Sequence, residues 1–454
     1  MKRQIESYLN QEQRLKGALI GISIREAETG KQIYEYMGDT RLHPASNMKL
    51  LTAAASLSVL GENYRFSTEL YTDGTVEKEI VAGNLYLVGK GDPTLLPETF
   101  CSFAFELKTL GIKHISGDIV GDDTWYDKER LAKDVIWSDE QYYYAAQISA
   151  LTVSPDTDYD AGSIYVAIRP EKYGEKAAVT ISPETAYVQL ENNTLTGQET
   201  DIEDLIIERN HGENVIKLSG RIPKNGEMKE EWIAVWEPTG YALDMFQQAL
   251  KEHGITWSGM IRYGQVPDTA KLLYRHASKR LAEIIIPFMK LSNNTIAEVL
   301  IKEMGKTVYG KGSWEKGIHV LNREIQKLGL KSDTMVIRDG SGISHVNLIP
   351  ASEITKLLYT VQQAEWFSAF EYSLPLAGAV SRMVGGTLQN RMQHVNVRAK
   401  TGTIDGVSTL SGYLKKRNGE KLIFSILINN LLDEDEGKDI EDKIIDLVNH
   451  VEER

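Results

Sequence analysis

Ser46 and Lys49 stand three residues apart at the head of a long run of small and apolar residues, HPASNMKLLTAAASL (43–57). If that run is a helix, the spacing puts both side chains on one face, a few ångströms from each other. A lysine is an odd choice for the start of a buried helix. An amine kept out of water loses its proton more readily, and a neutral amine beside a serine hydroxyl can turn a poor nucleophile into an attacking one. The spacing alone does not decide this. SWEK (Ser313 to Lys316) repeats it, and a helix-capping serine followed by a lysine reaching for solvent is the structural alternative.

Two further motifs shift the balance. LSNNTIAEVL places Ser292, Asn293 and Asn294 between two helical segments; alone it reads as a loop that caps the next helix. VRAKTGTIDG places Lys400, Thr401 and Gly402 on a strand near the C-terminus. Alone it reads as an edge strand with a solvated lysine, although a glycine inside a strand marks a close approach of another backbone. In chain order the three spell Ser-x-x-Lys, Ser-x-Asn and Lys-Thr-Gly, the set of the acyl-serine enzymes typified by penicillin-binding proteins and class A β-lactamases.

The chemistry expected of that set is coherent. Ser46 attacks a carbonyl and forms an acyl-enzyme, with Lys49 as general base. Ser292 and Lys400 relay the proton to the leaving amine, and Asn294 holds the substrate amide and the lysine. Lys400 and Thr401 suit a substrate carboxylate, one by charge and the other by its hydroxyl. The oxyanion hole is expected from the backbone N–H groups of Ser46 and Thr403. A peptide laid along the strand that begins near Lys400 binds by β-augmentation.

These residues must be positioned by elements drawn from both ends of the chain. After an amphipathic N-terminal helix with Ile5, Leu9 and Leu15 roughly on one face, ALIGISIREAETGKQIYEY reads as two strands with a turn at Glu28-Thr29-Gly30. The region from about 276 to 370 is helical in pattern. The end returns to strands, with a hairpin turn at Asn418-Gly419 and a final helix over 439–451. Between about 160 and 237 the sequence is a series of short β-like runs punctuated by Gly, Asn and Pro. The two termini are thus expected to complete one α/β domain, with a β-rich middle inserted.

Composition excludes several rivals. The 454 residues are too many for one simple core. A net charge of −13, without a basic helical patch, argues against nucleic acid as partner. Cys101 is the single cysteine, which excludes an internal disulfide and any Cys-based metal cluster. The nine histidines show no His-Glu-x-x-His pattern, so a zinc peptidase is not expected, and the acyl-serine chemistry above calls for no metal or cofactor. His43 lies near Ser46, but nothing else supports a Ser-His-Asp triad. GKTVYGKGS (Gly305 to Ser313) nearly spells a phosphate loop, yet Gly312 stands where Ser or Thr must bind Mg²⁺, and a helix precedes it; a helix C-cap and turn is the expectation. No window has the apolar length to span a bilayer.

About 240 residues separate Lys49 from Ser292, far more than in a β-lactamase. With GNLYLVGKGDPTL, GDIVGDDTWYD, YYYAAQISALTVSPD, DGSGIS (Asp339 to Ser344), LPLAG (Leu374 to Gly378) and KTGTIDGVSTLSGY, the chain resembles, over nearly its whole length, the low-molecular-mass class C penicillin-binding proteins. These are D-alanyl-D-alanine carboxypeptidases and endopeptidases acting on peptidoglycan. The resemblance implies an α/β (α+β) transpeptidase-like domain I, an antiparallel sheet with helices on both faces, over 1–66 plus 276–454. Domain II then covers 67–158 plus 255–275, and a β-rich domain III at 159–254 is nested in it.

The resemblance also implies stem peptides of the diaminopimelate type as substrate, β-lactams as covalent inhibitors and an extracytoplasmic location. MKRQIESYLNQEQRLKG has the basic start of a signal peptide without the apolar stretch, so a leader is expected to be missing from the chain. WSDEQYYYAA resembles the segment that binds the free D-amino end of the stem peptide, which puts Asp139 and Tyr144 near the substrate ammonium. Where the family often has an arginine after DGSGIS, this chain has His345, the residue expected nearest the distal carboxylate. Contact with a membrane surface would come from the N-terminal helix or from an exposed patch of the insertion. The alternatives carried forward are a β-lactamase-type hydrolase, for which no Glu-x-x-x-Asn follows the nucleophile at class A spacing, and a non-catalytic peptidoglycan-binding protein.

Overall fold

The structure is a computed structural model that describes residues 1–450. It divides into two compact units. The first is built from Met1–Tyr64, Ala132–Asp134 and the chain from Arg280 onward; the second from Arg65–Leu131 and Val135–Lys279. Three residues in the middle of the insertion, Ala132–Asp134, thus group with the termini.

The first unit is organised on a five-stranded antiparallel sheet. Its strands are β1 (Leu19–Glu26), β2 (Gln32–Tyr36), β3 (Asn396–Ile404), β4 (Val407–Lys415) and β5 (Lys421–Asn429), in the order β2-β1-β5-β4-β3. The two hairpin turns fall where the sequence placed them. Gly30 has φ +72 and its N–H closes on Glu26 O at 3.0 Å, and Gly419 has φ +90; both need the left-handed region that glycine enters without cost.

The period-2 alternation of a strand sends neighbouring residues to opposite faces. Ile20, Ile22 and Ile24 join Leu410, Ile426 and Ile428 on one face. There they bury Ile5 and Leu9 of the N-terminal helix Lys2–Gln11 and Ile440, Ile444 and Val448 of the last helix, Asp435–Asn449. On the other face Ser23 and Tyr413 hydrogen-bond Thr355 and the Leu358 carbonyl of the helix Ala351–Thr360, both within 2.8 Å. Helices therefore cover both faces.

Two local expectations need correcting. The N-terminal helix stops at Gln11, and Leu15 sits in a separate turn, Gln13–Leu15. Its apolar residues Ile5 and Leu9 are buried in the core. The last helix starts at Asp435, four residues before the expected Asp439. Asp435 and Glu436 supply the acidic first turn that a helix N-terminus favours. Val451, its expected end, lies outside the described residues.

Helices Asn294–Tyr309 and Trp314–Lys327 pack on the helix Met48–Leu60, in which every residue from Met48 to Leu57 is buried. Gly317 lets two of them touch, since a Cβ there would lie 1.9 Å from Ile301 O. Gly310, of the near phosphate loop, is the left-handed C-cap of Asn294–Tyr309 with φ +71.

The second unit carries four sheets, of three, three, four and five strands. The β-like runs between 160 and 237 form the two three-stranded sheets. Gln189–Gly197 pairs with Val215–Pro223 in parallel, whereas every other pair in those sheets is antiparallel. One hydrophobic cluster runs through the unit, from Leu70 and Leu87 to Ile164, Val166, Ile222 and Phe246. Among the described residues no helix is long and apolar enough to cross a membrane.

Candidate active site

The turn before the buried helix is built for close approach. Ala45 has φ +43, and Ala45–Asn47 form one 3-10 turn before the α-helix begins at Met48. Two glycines let other backbones close on it. A Cβ on Gly402 would lie 2.7 Å from Ser46 N and 2.3 Å from Thr409 Oγ1, and one on Gly342 would lie 1.8 Å from Ala45 O. The glycine inside β3 is thus there because the nucleophile turn sits against the strand. Thr409 Oγ1 donates to Pro44 O at 2.9 Å and Asn47 Nδ2 to Ser411 Oγ at 3.0 Å, which ties the turn to β4.

Lys49 is fully buried. Its Nζ lies 2.8 Å from Ser46 Oγ, 2.6 Å from Asn294 Oδ1 and 2.8 Å from Ser341 O. A neutral amine has two N–H donors and one lone pair. Asn294 Oδ1 and Ser341 O can take the donors only, so the lone pair is left for the Ser46 hydroxyl, which then donates. Burial lowers the Lys49 pKa to about 7, against the opposing charges of Glu298 and Asp339. The lysine is therefore poised near neutrality to act as a base.

The Ser-x-Asn segment divides its work. Asn293 caps the next helix by accepting from Ile296 N at 2.8 Å. The structural alternative is thus true of Asn293 and releases its neighbours. Ser292, at φ +61, turns toward β3, where Lys400 Nζ donates to its Oγ at 2.8 Å and to Thr401 O at 2.8 Å. Lys400 is buried, and burial followed by the charge of Lys49 drives its pKa well below the usual lysine range.

Strand β3 is the sheet edge. Its outer side is occupied as far as Ala399, because Ala377 N donates to Val397 O and Ala399 N to Pro375 O, at 2.9 and 3.0 Å. By the antiparallel alternation, Thr401 and Thr403 turn their backbone groups the same way. Thr401 Oγ1 donates to Thr387 Oγ1 at 2.7 Å.

Ser46, Lys49, Ser292, Asn294, Lys400, Thr401 and Gly402 are therefore drawn into one cluster, with Thr403 next along β3. His345 follows the DGSGIS loop and meets His43 edge-on at 6.2 Å, while His43 Nδ1 faces Asn347 O at 3.0 Å. Asp139 and Tyr144 belong to the second unit. Asp139 ends the 3-10 turn Trp137–Asp139, and Tyr144 stacks on Tyr142 at 5.4 Å.

Sequence reading assigned no role to Glu298, Asp339, Ser341 or Thr387. Glu298 carried a signal, since it stands one helical turn after Asn294 and so shares its face. Asp339 and Ser341 lay in a motif noted only for resemblance. Thr387 carried none. A further tie holds the loop at its end. The Asp134 carboxylate accepts from Arg338 Nε at 2.8 Å and from Ser344 Oγ at 2.9 Å, both residues of the first unit, to which Ala132–Asp134 belong.

The model of the D-Ala-D-Ala carboxypeptidase 3 (S13) family matches residues 1–451. The chain belongs to this family. It is a serine D-Ala-D-Ala carboxypeptidase. The D-alanyl-D-alanine carboxypeptidase of Actinomadura sp. (strain R39) is 40% identical to the peptidase over 422 residues, which cover 91% of this chain and 78% of that one. The crystal structure of penicillin binding protein 4 from Haemophilus influenzae, 23% identical, shares its fold with a TM-score of 0.86 over 98% of the peptidase and 99% of that chain. The same Haemophilus protein complexed with a β-lactam matches with a TM-score of 0.78 at 23% identity, over 99% and 100% of the two chains.

Proposed function

We propose that Ser46 is the nucleophile of this carboxypeptidase and Lys49 its general base. The observation that carries the reading is the set of three contacts at Lys49 Nζ, which leaves its lone pair for the Ser46 hydroxyl. Ser46 Oγ adds to the carbonyl of the penultimate D-alanine as its proton passes to Lys49. The developing oxyanion is met by the N–H groups of Ser46 and Thr403. The C–N bond then breaks, and the leaving amine takes a proton relayed through Ser292 and Lys400. Water attacks the ester, restores the serine hydroxyl and releases the shortened peptide. Asn294 holds Lys49 and the substrate amide.

The terminal carboxylate lies on Lys400 and Thr401, and the peptide extends along the open edge of β3 at Gly402 and Thr403. Acylation is the same whether the leaving amine is a free D-alanine or the cross-linking amine of a second stem peptide, so the site serves carboxypeptidase and endopeptidase reactions alike. The substrate is a peptidoglycan stem peptide of the diaminopimelate type. Asp139 and Tyr144 receive its ammonium end and His345 its distal carboxylate. Such a substrate places the enzyme outside the cytoplasm. The division of the insertion into domains II and III is part of the same reading, supported by the separate three-stranded sheets.

A β-lactam offers the same carbonyl and carboxylate on a strained ring, so it acylates Ser46 and inhibits. Intact mass spectrometry after incubation with benzylpenicillin tests the reading. One penicillin added to the wild type and none to Ser46→Ala is the expected result. Drug turnover without an adduct would point to a β-lactamase instead, and neither adduct nor turnover to a non-catalytic peptidoglycan-binding protein.

A further inference from the structure

Two of the three partners of Lys49 depend on one face of the helix Asn294–Tyr309. Asn294 touches the amine directly. Glu298, one turn on and 4% exposed, gathers the loop that supplies Ser341 O. Its Oε1 accepts from Ser341 N at 2.8 Å and Gly340 N at 3.2 Å, and its Oε2 from Gly340 N at 3.1 Å and Trp314 Nε1 at 2.7 Å. Thr52 of the nucleophile helix holds the same loop from the other side, donating to Gly340 O at 2.7 Å.

Every one of these partners of Glu298 is an N–H donor, so the site calls for an acceptor at both oxygens. A glutamine would turn an NH₂ toward one donor. We propose that Glu298 is a positioning residue for acylation: it presents the Ser341 carbonyl to Lys49, and its charge faces the Lys49 amine across that loop. The inference rests on Lys49 being the base.

The charges around the pair come from several elements. Lys49 is faced by Glu298, by Asp339 at the start of the loop and by Lys400 on β3. Asp339 accepts from Gly342 N, Ser344 N and Asn347 Nδ2, all within 2.8 Å. Lys302, buried one turn beyond Glu298, stands 3.9 Å over the ring of Trp314. The fields of Glu298 and Asp339 favour a protonated Lys49, against burial, which favours the neutral amine.

The test is the second-order rate of benzylpenicillin acylation across pH, in Glu298→Gln and Glu298→Asp, each first checked for folding by circular dichroism and thermal melting. Gln removes the charge and keeps one acceptor. It is expected to lower the plateau about tenfold and to move the acid limb down by about half a pH unit or more. Asp keeps the charge and shortens the reach, so its plateau falls while its limb stays near that of the wild type. A folded Gln variant with an unmoved limb, or a folded Asp variant at the wild-type plateau, would overturn the role of Glu298 and leave Lys49 standing. If Gln does not fold, the Asp variant decides: a lowered plateau with full active-site titration supports the role, and a wild-type plateau removes it. A wild type lacking any acid limb would instead overturn Lys49 as base.

Discussion

Ser46/Lys49 and Ser313/Lys316 share a spacing and a helix start, yet they are opposite objects. Ser313 has the extended backbone of a helix cap, φ −140 and ψ 156, and its Oγ accepts from Lys316 N at 3.2 Å. Lys316 reaches outward to Glu315 at 2.7 Å, and that pairing raises its pKa. At Ser46 the chain enters through a tight turn, so the hydroxyl caps nothing and meets Nζ of Lys49 instead. Lys49 is sealed between the Asn294 helix and the 339–342 loop, and its pKa falls. The difference lies in what closes over the lysine, which the Ser-x-x-Lys spacing does not contain.

The largest way to break the comparison is Ser46→Ala. Acylation and peptide hydrolysis should fall by about 10⁴-fold or more, as loss of a nucleophile does elsewhere, while Ser313→Ala acylates normally. Intact mass and D-alanine release read both. Gly402→Ala should come next. Its Cβ would sit 2.7 Å from Ser46 N and 2.3 Å from Thr409 Oγ1, so the strand must move off the nucleophile turn. A shift of that kind costs about 10²-fold in rate, seen in kcat/KM on a D-Ala-D-Ala peptide.

The pH dependence is smaller. A base whose pKa is lowered to about 7 is neutral above that value and protonated below it. Acylation should therefore rise with pH through about 7 and lie about tenfold under its plateau at pH 6. Lys316→Met should leave that limb in place, because Lys316 sits on the surface end of another helix. Stopped-flow acylation from pH 5 to 9 checks both proteins.

The parts of the site that were legible in the sequence are those whose residue type is itself unusual for its surroundings. These are a lysine heading an apolar helix, a glycine inside a strand, and Ser-x-Asn before a helix. The illegible parts are made by tertiary approach. Thr387 meets Thr401 only because a short turn folds against the edge of β3, and Asp339 is held by Gly342 N, Ser344 N and Asn347 Nδ2 of its own loop, which the fold brings to Lys49 through Ser341 O. The same holds for the fold. Hairpin turns at Gly30 and Gly419 are local and were readable, whereas the parallel pairing of Gln189–Gly197 with Val215–Pro223 joins distant segments. The last helix begins four residues before the expected Asp439 and so takes in Gly437. That glycine's lack of a side chain is what lets the helix press on β4, a Cβ there lying 2.3 Å from that of Ser408.

The smallest effect sharpens the comparison most. Ser313→Ala removes one acceptor from the N-terminus of Trp314–Lys327 and nothing else that the site uses. Loss of a serine cap costs about 1 kcal/mol, which for the first unit corresponds to a fall in Tm of about 2–4 °C. The acylation rate should stay at the wild-type value, because Trp314, although it is the first residue of the helix, reaches Glu298 through its indole Nε1, whereas the cap bonds the Lys316 backbone N–H. Thermal melting beside a benzylpenicillin rate separates the two readouts. A rate that dropped with the Tm would mean that the start of this helix, and not Glu298 alone, holds the 340–341 loop on Lys49.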